Sequence, residues 1–171
     1  MQTKYEGRIW LIQRDGKLID DIDTDMIFHN SHLAITDIKL MGQHSFGNLK
    51  GYENFAKEAK PGDIIAVGQN FGSGSSRQQA IDCFKSLGAG AILAKSIGAI
   101  SKRNAINSGF PIFIYESFDI SGVKTGDAVA VDIVALTISH NGKLIGKLDP
   151  VSKVQMDILE AGDVFEYAKK L

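Results

Sequence analysis

Cysteine is nearly absent from this sequence: Cys83 is the only one in 171 residues. A lone thiol excludes an internal disulfide, and equally a Cys-rich zinc site or an iron–sulfur cluster built from the chain's own ligands. A reducing compartment is the expected setting. Charge of one sign is missing too. Nineteen basic and twenty acidic residues leave a formal net charge of −1, and the basic ones are scattered, so there is no electrostatic footprint for nucleic acid or an anionic membrane surface. The third absence is long apolar runs. The opening MQTKYEGRIW holds no apolar stretch of signal-peptide length, and no later segment approaches a membrane span. The expectation is a cytoplasmic protein that meets neither nucleic acid nor membrane.

With 44% of its residues hydrophobic, the chain can bury one good core. No repeat, low-complexity segment or linker divides it, so residues 1–171 are expected to form a single domain. YEGRIWLIQR (5–14) reads as a strand, and Asp15-Gly16 as the tight turn of a hairpin. IDDIDTDMI (19–27) has no helical period and reads as loop leading to short extended structure; 28–50, rich in Gly, His and Asn, shows little pattern. YENFAKEAK (52–60) predicts a helix broken at Pro61-Gly62, and DIIAVG (63–68) a buried strand. RQQAIDCFKSLG (77–88) predicts a helix with Ala80, Ile81, Phe84 and Leu87 on one face; Cys83 lies there as a core residue. AILAK (91–95) and PIFIY (111–115) read as strands, flanking a helix capped by Ser96 and ended by Gly109. Strand, helix, strand, helix, strand implies parallel βαβ units. AVAVDIVALTISH and KLIGKL then read as strands around Asn141-Gly142, a strong hairpin signal, and VQMDILEAGDVFEYAKK closes the chain as one or two helices.

The richest stretch is NFGSGSSRQQA, residues 70–80, between a predicted strand and a predicted helix, where open α/β sheets bind ligands. Gly72 and Gly74 allow positive φ and close backbone approach to an anion. Ser75 and Ser76 fall near the positive end of the helix dipole, and Arg77 adds a planar fork that fits a carboxylate or phosphate. A plain helix cap would need one hydroxyl; this turn has two, with an arginine and two glycines. A nucleotide cradle is weakly supported, because the third glycine of G-x-G-x-x-G and the G-K-[ST] of a P-loop are both missing. The turn reads as an anion site with a hydroxyl in it.

Three segments, DIDTDMI at 21–27, PGDIIAVGQNFGSGSSRQQA at 61–80 and KRNAINSGFPI at 102–112, together resemble the aconitase swivelling-domain family. That family comprises the small subunits of 3-isopropylmalate dehydratase and homoaconitase and the C-terminal domain of aconitase. Its usual Glu-His after the arginine is Gln78-Gln79 here. The resemblance implies an α/β fold of three layers, β/β/α, and a hydro-lyase that moves a hydroxyl to the neighbouring carbon of a small hydroxy acid through an enoate. It implies Ser75 as catalytic base, with Ser76, Arg77 and Gly74 holding a substrate carboxylate and Thr24 and Asp25 completing the substrate site. It also implies a 4Fe–4S cluster that this chain cannot hold, and therefore a cluster-bearing large subunit, joined as a heterodimer or heterotetramer.

Substrate choice in the family is associated with a segment often written Tyr-Leu-x-x-Thr-Asp, here His32-Leu33-Ala34-Ile35-Thr36-Asp37. An alanine cannot pair a distal carboxylate, whereas Ala34 and Ile35 could face an alkyl group. The resemblance therefore favours interconversion of 2- and 3-isopropylmalate, in leucine biosynthesis, over a homoaconitase or methylmalate-type reaction. A non-catalytic anion- or nucleotide-binding module is the alternative outside enzymes. DIDTD lacks the glycine and distal glutamate of a calcium loop, and His29, His32, His44 and His140 have no metal-ligand spacing, so no metal residue is assigned and they read as surface or loop histidines.

Overall fold

The computed structural model describes residues 1–171, and seven of its nine strands close into one flattened barrel. β1 (Lys4–Leu11), β4 (Ile64–Val67), β5 (Ala91–Ala94) and β6 (Ile112–Phe118) run parallel side by side. β7 (Ala128–Asp132), β8 (Thr137–His140) and β9 (Lys143–Leu148) form an antiparallel meander that joins β1 at one edge and β6 at the other. β2 (Gln13–Arg14) and β3 (Lys17–Leu18) make a separate small hairpin around Asp15-Gly16.

Side-chain alternation along the parallel strands explains the layering. Ile9, Leu11, Ile64, Ala66, Ala91 and Leu93 point into the barrel, against Val129, Val131 and Ile138 of the meander. Trp10, Ile12, Ile65, Val67, Ile92 and Ala94 point the other way, into a second core covered by helices. Antiparallel sheet, parallel sheet and helices thus stack as β/β/α, the expected class. The short runs IIAV and AILA are buried at every position because each lies between two cores.

Two helices follow the parallel strands: α3 (Gln79–Ser86) after β4 and α4 (Ala99–Asn107) after β5. Cys83, fully buried on α3, is a core residue, and burial pushes its thiol up to about 12. The predicted cap at Ser96 is wrong. Gly98 caps α4, and the Ser96 hydroxyl instead accepts the Asn70 N–H at 2.8 Å. The predicted helix over 52–60 shrinks to α2 (Phe55–Glu58), because Tyr52 is drawn to the sheet, where its hydroxyl accepts the Gln13 N–H at 2.7 Å. Residues 133–136 break the run read as strand: Asp132 Oδ1 accepts the N–H groups of Val134 and Ala135, both at 2.9 Å, in a side-chain turn. The last stretch forms two helices, α5 (Lys153–Ala161) and α6 (Val164–Ala168), each with its own N-cap, Ser152 and Asp163.

Between β3 and α2 the chain covers one end of the helix-side core. The segment expected to be extended holds a one-turn helix, α1 (Thr24–Ile27), because Asp23 caps it by accepting the Met26 N–H at 2.8 Å. Three single 3₁₀ turns follow, at Asn30–His32, Ile38–Leu40 and Gly42–His44, anchored by buried Phe28, Met41, Phe46 and Leu49. No helix is long and apolar enough to cross a membrane.

Candidate active site

Leaving β4, the chain is stitched on both sides before α3 begins. Phe71 donates to Ser96 O and accepts from the Gly98 N–H; the Gly72 N–H donates to Ile22 O at 2.8 Å, and the Thr24 N–H to Ser73 O at 2.9 Å. Gly72 has φ +74°, and a Cβ there would lie 2.6 Å from both Cβ and Oγ of buried Ser101, whose hydroxyl donates to Gly72 O. Gly74, at φ +95°, passes over Thr24 Oγ1. The turn is therefore set by backbone bonds to the segment before α1 and by the start of α4.

Ser75 and Ser76 at its crest are exposed. They do not cap α3, which has Gln78 at its N-cap and no side-chain cap bond. The bonds of α3 begin with Ala80 donating to Arg77 O and Ile81 and Asp82 to Gln78 O, so the N–H groups of Ser75, Ser76, Arg77, Gln78 and Gln79 have no partner in the chain. Positive potential at the crest thus comes from these free N–H groups and from the guanidinium. Arg77, its side chain only 10% exposed, donates Nη1 to Asp25 Oδ1 at 3.1 Å and to Phe28 O at 2.7 Å. Its Nε and Nη2 donors are left without a partner in the chain.

Asp25 reaches that arginine from α1, across a separation of 52 residues. The bond from Arg77, then the Asn30 N–H, hold its carboxyl below the usual carboxylate range, and Asn48 Nδ2 adds bonds at 3.2 Å to its Oδ2 and backbone O. Thr24 is placed differently from Asp25. It is buried beneath Gly74 and shapes the turn from below.

His32, Leu33, Ala34, Ile35 and Thr36 follow Asn30, whose N–H donates to Asp25 Oδ1 at 2.9 Å. The Leu33 carbonyl accepts Gln79 Nε2 at 3.3 Å, so one of the two glutamines that depart from the family pattern ties this segment to α3. Ala34 and Thr36 are exposed, but Ile35 turns inward and packs on the helix-side core. The open apolar position belongs to Leu33, 41% exposed.

Sequence reading missed the gathering of His29, His32 and His44. The His32 and His44 rings stack with centroids 3.7 Å apart at 18°, and both stand edge-on to buried Phe28, at 6.0 and 5.9 Å. Eleven residues of irregular chain separate the stacked pair, so no periodicity announced it; the one usable signal was three histidines within sixteen positions. No group of His, Cys, Asp or Glu side chains is arranged to hold a metal ion. With one buried cysteine, the chain's own residues do not fit an iron–sulfur cluster.

The β/β/α scaffold thus presents an exposed Ser75 next to a largely buried Arg77 whose Nε and Nη2 have no partner in the chain. The chain belongs to the aconitase C-terminal domain family, which matches residues 19–116. It is similar to the 3-isopropylmalate dehydratase small subunit of Lachnospira eligens, 37% identical over 100% of this chain and 98% of that protein. The methanogen homoaconitase small subunit of Methanocaldococcus jannaschii is 38% identical over 92% of this chain and 90% of its own length. The crystal structure of 3-isopropylmalate dehydratase from the same organism superposes with a TM-score of 0.83 at 36% identity, covering 98% of this chain and 94% of that one.

Proposed function

We propose that this chain is the small subunit of a hydro-lyase that interconverts 2- and 3-isopropylmalate by dehydration and rehydration, working with a large subunit. The observation that carries the reading is the exposed Ser75 beside Arg77, whose Nε and Nη2 remain free. Arg77 and Ser76, with the backbone at Gly74, take a substrate carboxylate. The Ser75 oxygen accepts the proton from the carbon next to a carboxylate, the electron pair of that C–H bond becomes the new C=C bond, and hydroxide leaves the neighbouring carbon. Re-addition of water with the two positions exchanged completes the isomerisation. A serine oxygen serves as base only where positive charge stabilises its alkoxide, which is the part assigned to Arg77. The partner's 4Fe–4S cluster would supply the Lewis acid for the leaving hydroxyl. Asp25 keeps Arg77 aimed. A reducing compartment, the cytoplasm, is proposed from the lone buried thiol.

The test is reconstitution. The chain alone should show no enoate absorbance from 2-isopropylmalate; with a cluster-bearing partner it should, and Ser75→Ala should then lose at least about a hundredfold in kcat. Near-normal turnover in that variant would falsify the base assignment. Failure of the wild-type complex, with anion binding retained, would leave a non-catalytic anion-binding module. A second reading, a homoaconitase or methylmalate-type substrate, is favoured by the inward turn of Ile35, which leaves less open apolar surface in the 32–36 segment than the sequence suggested. Relative kcat/KM for isopropylmalate and homocitrate decides between them.

A further inference from the structure

Beside the Asp25–Arg77 pair lies an open cleft of about 380 Å³, lined by His29, His32, Gln43, His44, Gly47 and Asn48, with no hydrophobic residue among them. Three imidazoles converge on it, and no carboxylate in the chain answers them. The one imidazole in an ion pair is His140, far along the chain, with Asp127. Asp25 faces His29, yet its carboxylate is already taken by Arg77, the Asn30 N–H and Asn48. The other charged groups on the elements packed here, Lys39, Lys57, Glu58, Asp82 and Lys85, make no ion pair with a histidine.

The imidazoles are also constrained in ways that point at a ligand. The Ser31 N–H donates to His29 Nδ1 at 3.1 Å, so the neutral ring carries its proton on Nε2, as a donor. The His32–His44 stack, 3.7 Å between centroids, is too close for two positive charges in an empty cleft. Burial, and then His32, accordingly lower the His44 pKa. A metal ion does not relieve this, because the lone pairs of two parallel rings cannot converge on one point. An anion does.

We propose that this cleft is a proton-linked site for a small oxyanion, distinct from the carboxylate position at Arg77 but sharing a wall with it through Asn48. The ligand is either the substrate's second carboxylate or a free inorganic anion; the first source rests on the isopropylmalate reading, while the site itself does not. Docking the anion offsets both the burial of His44 and the repulsion from its stacked neighbour, so binding draws a proton onto His44 and strengthens as pH falls.

The experiment is imidazole ¹H–¹⁵N NMR of the full chain, titrated with inorganic phosphate, 2-isopropylmalate and, as control, chloride, at pH 6 and pH 8. The His29, His32 and His44 resonances should follow one saturation curve, with binding about tenfold tighter at the lower pH and His140 unmoved. His29→Ala should weaken binding about fivefold or more, and so should His44→Phe, which keeps a ring on His32 and against Phe28 while removing its N–H donor. If 2-isopropylmalate competes with phosphate, and Arg77→Lys weakens only the former, the substrate's own carboxylate is the ligand. Phosphate binding without that competition makes the ligand a free anion, and the site stands even if the isopropylmalate reading falls. Equal response to chloride, an adventitious ion only, would overturn the proposal, as would three unrelated titration curves or unchanged affinity in both variants.

Discussion

Arg77 is a residue with two unequal halves. Nη1 is committed to Asp25 Oδ1 and Phe28 O, which fixes the plane of the guanidinium; Nε and Nη2 are the part left to recognise a carboxylate. Lysine would keep the charge but lose the fork. Arg77→Lys in the reconstituted complex should therefore raise KM by about tenfold and lower kcat less, read from steady-state rates. Unchanged KM and kcat would remove the carboxylate-holding role. Asp25 determines how this arrangement responds to acid. Its folded-state pKa is lowered, by the Arg77 bond first, so it stays charged down to a pH below the ordinary carboxylate range of about 4, and the pair is lost as pH falls through that lowered value. Asp25→Asn should accordingly relax the arginine at every pH, visible as a higher KM at neutrality and no added loss on acidification.

At the scale of elements, the turn before α3 depends on two neighbours that the sequence does not place beside it. Gly72→Ala forces a left-handed φ on alanine and drives its Cβ to 2.6 Å from Ser101, whose hydroxyl is bonded to the Gly72 carbonyl. Together these should destabilise the chain by about 2 kcal/mol, measured as a lower urea midpoint with unchanged slope. Ser101→Gly in the same background should recover part of the loss, because the clash is with its side chain. Elements with strong local chemistry were legible from sequence: the two hairpins at Asp15-Gly16 and Asn141-Gly142, the buried runs IIAV and AILA, and the amphipathic α3. Elements decided by a distant partner were not. Tyr52 leaves its expected helix for a bond to Gln13, and Ser96 leaves its expected cap for Asn70. The site divides the same way. The Ser75–Arg77 turn was read from its own composition, and Asp25 from the resemblance, whereas the His32–His44 stack joins two irregular turns whose only shared feature is the space they enclose.

For the whole molecule, the decisive feature is that β1 has two kinds of neighbour, β4 in parallel and β7 antiparallel, as β6 has β5 and β9, so these two junctions close the barrel and separate two cores. No local pattern specifies a pairing between Lys4–Leu11 and a strand beginning at Ala128, which is why the parallel units could be derived from the residues while the ring could not. What locks β1 in place is a buried carboxylate at the entrance to β4. Asp63, only 3% exposed, accepts from Arg8 Nε at 3.0 Å and Nη2 at 2.7 Å, from Trp10 Nε1 at 2.9 Å and from the Lys60 N–H at 2.8 Å. Burial alone would raise its pKa, but these donors outweigh burial and lower it. A lowered folded-state value means that the stabilisation is fully present above the unfolded carboxylate pKa of about 3.9 and disappears as pH falls through the folded one. Asp63→Asn keeps the shape but cannot satisfy all four donors and removes the charge facing Arg8. It should cost about 2–4 kcal/mol at pH 7, with β1 the first strand to gain amide exchange. The gap between variant and parent, followed by urea unfolding from pH 7 downward, should hold to about pH 4 and close below it, because the parent then loses the same charge. A gap that stays constant to pH 2 would mean that shape, and not ionisation, is what Asp63 contributes to holding the two cores together.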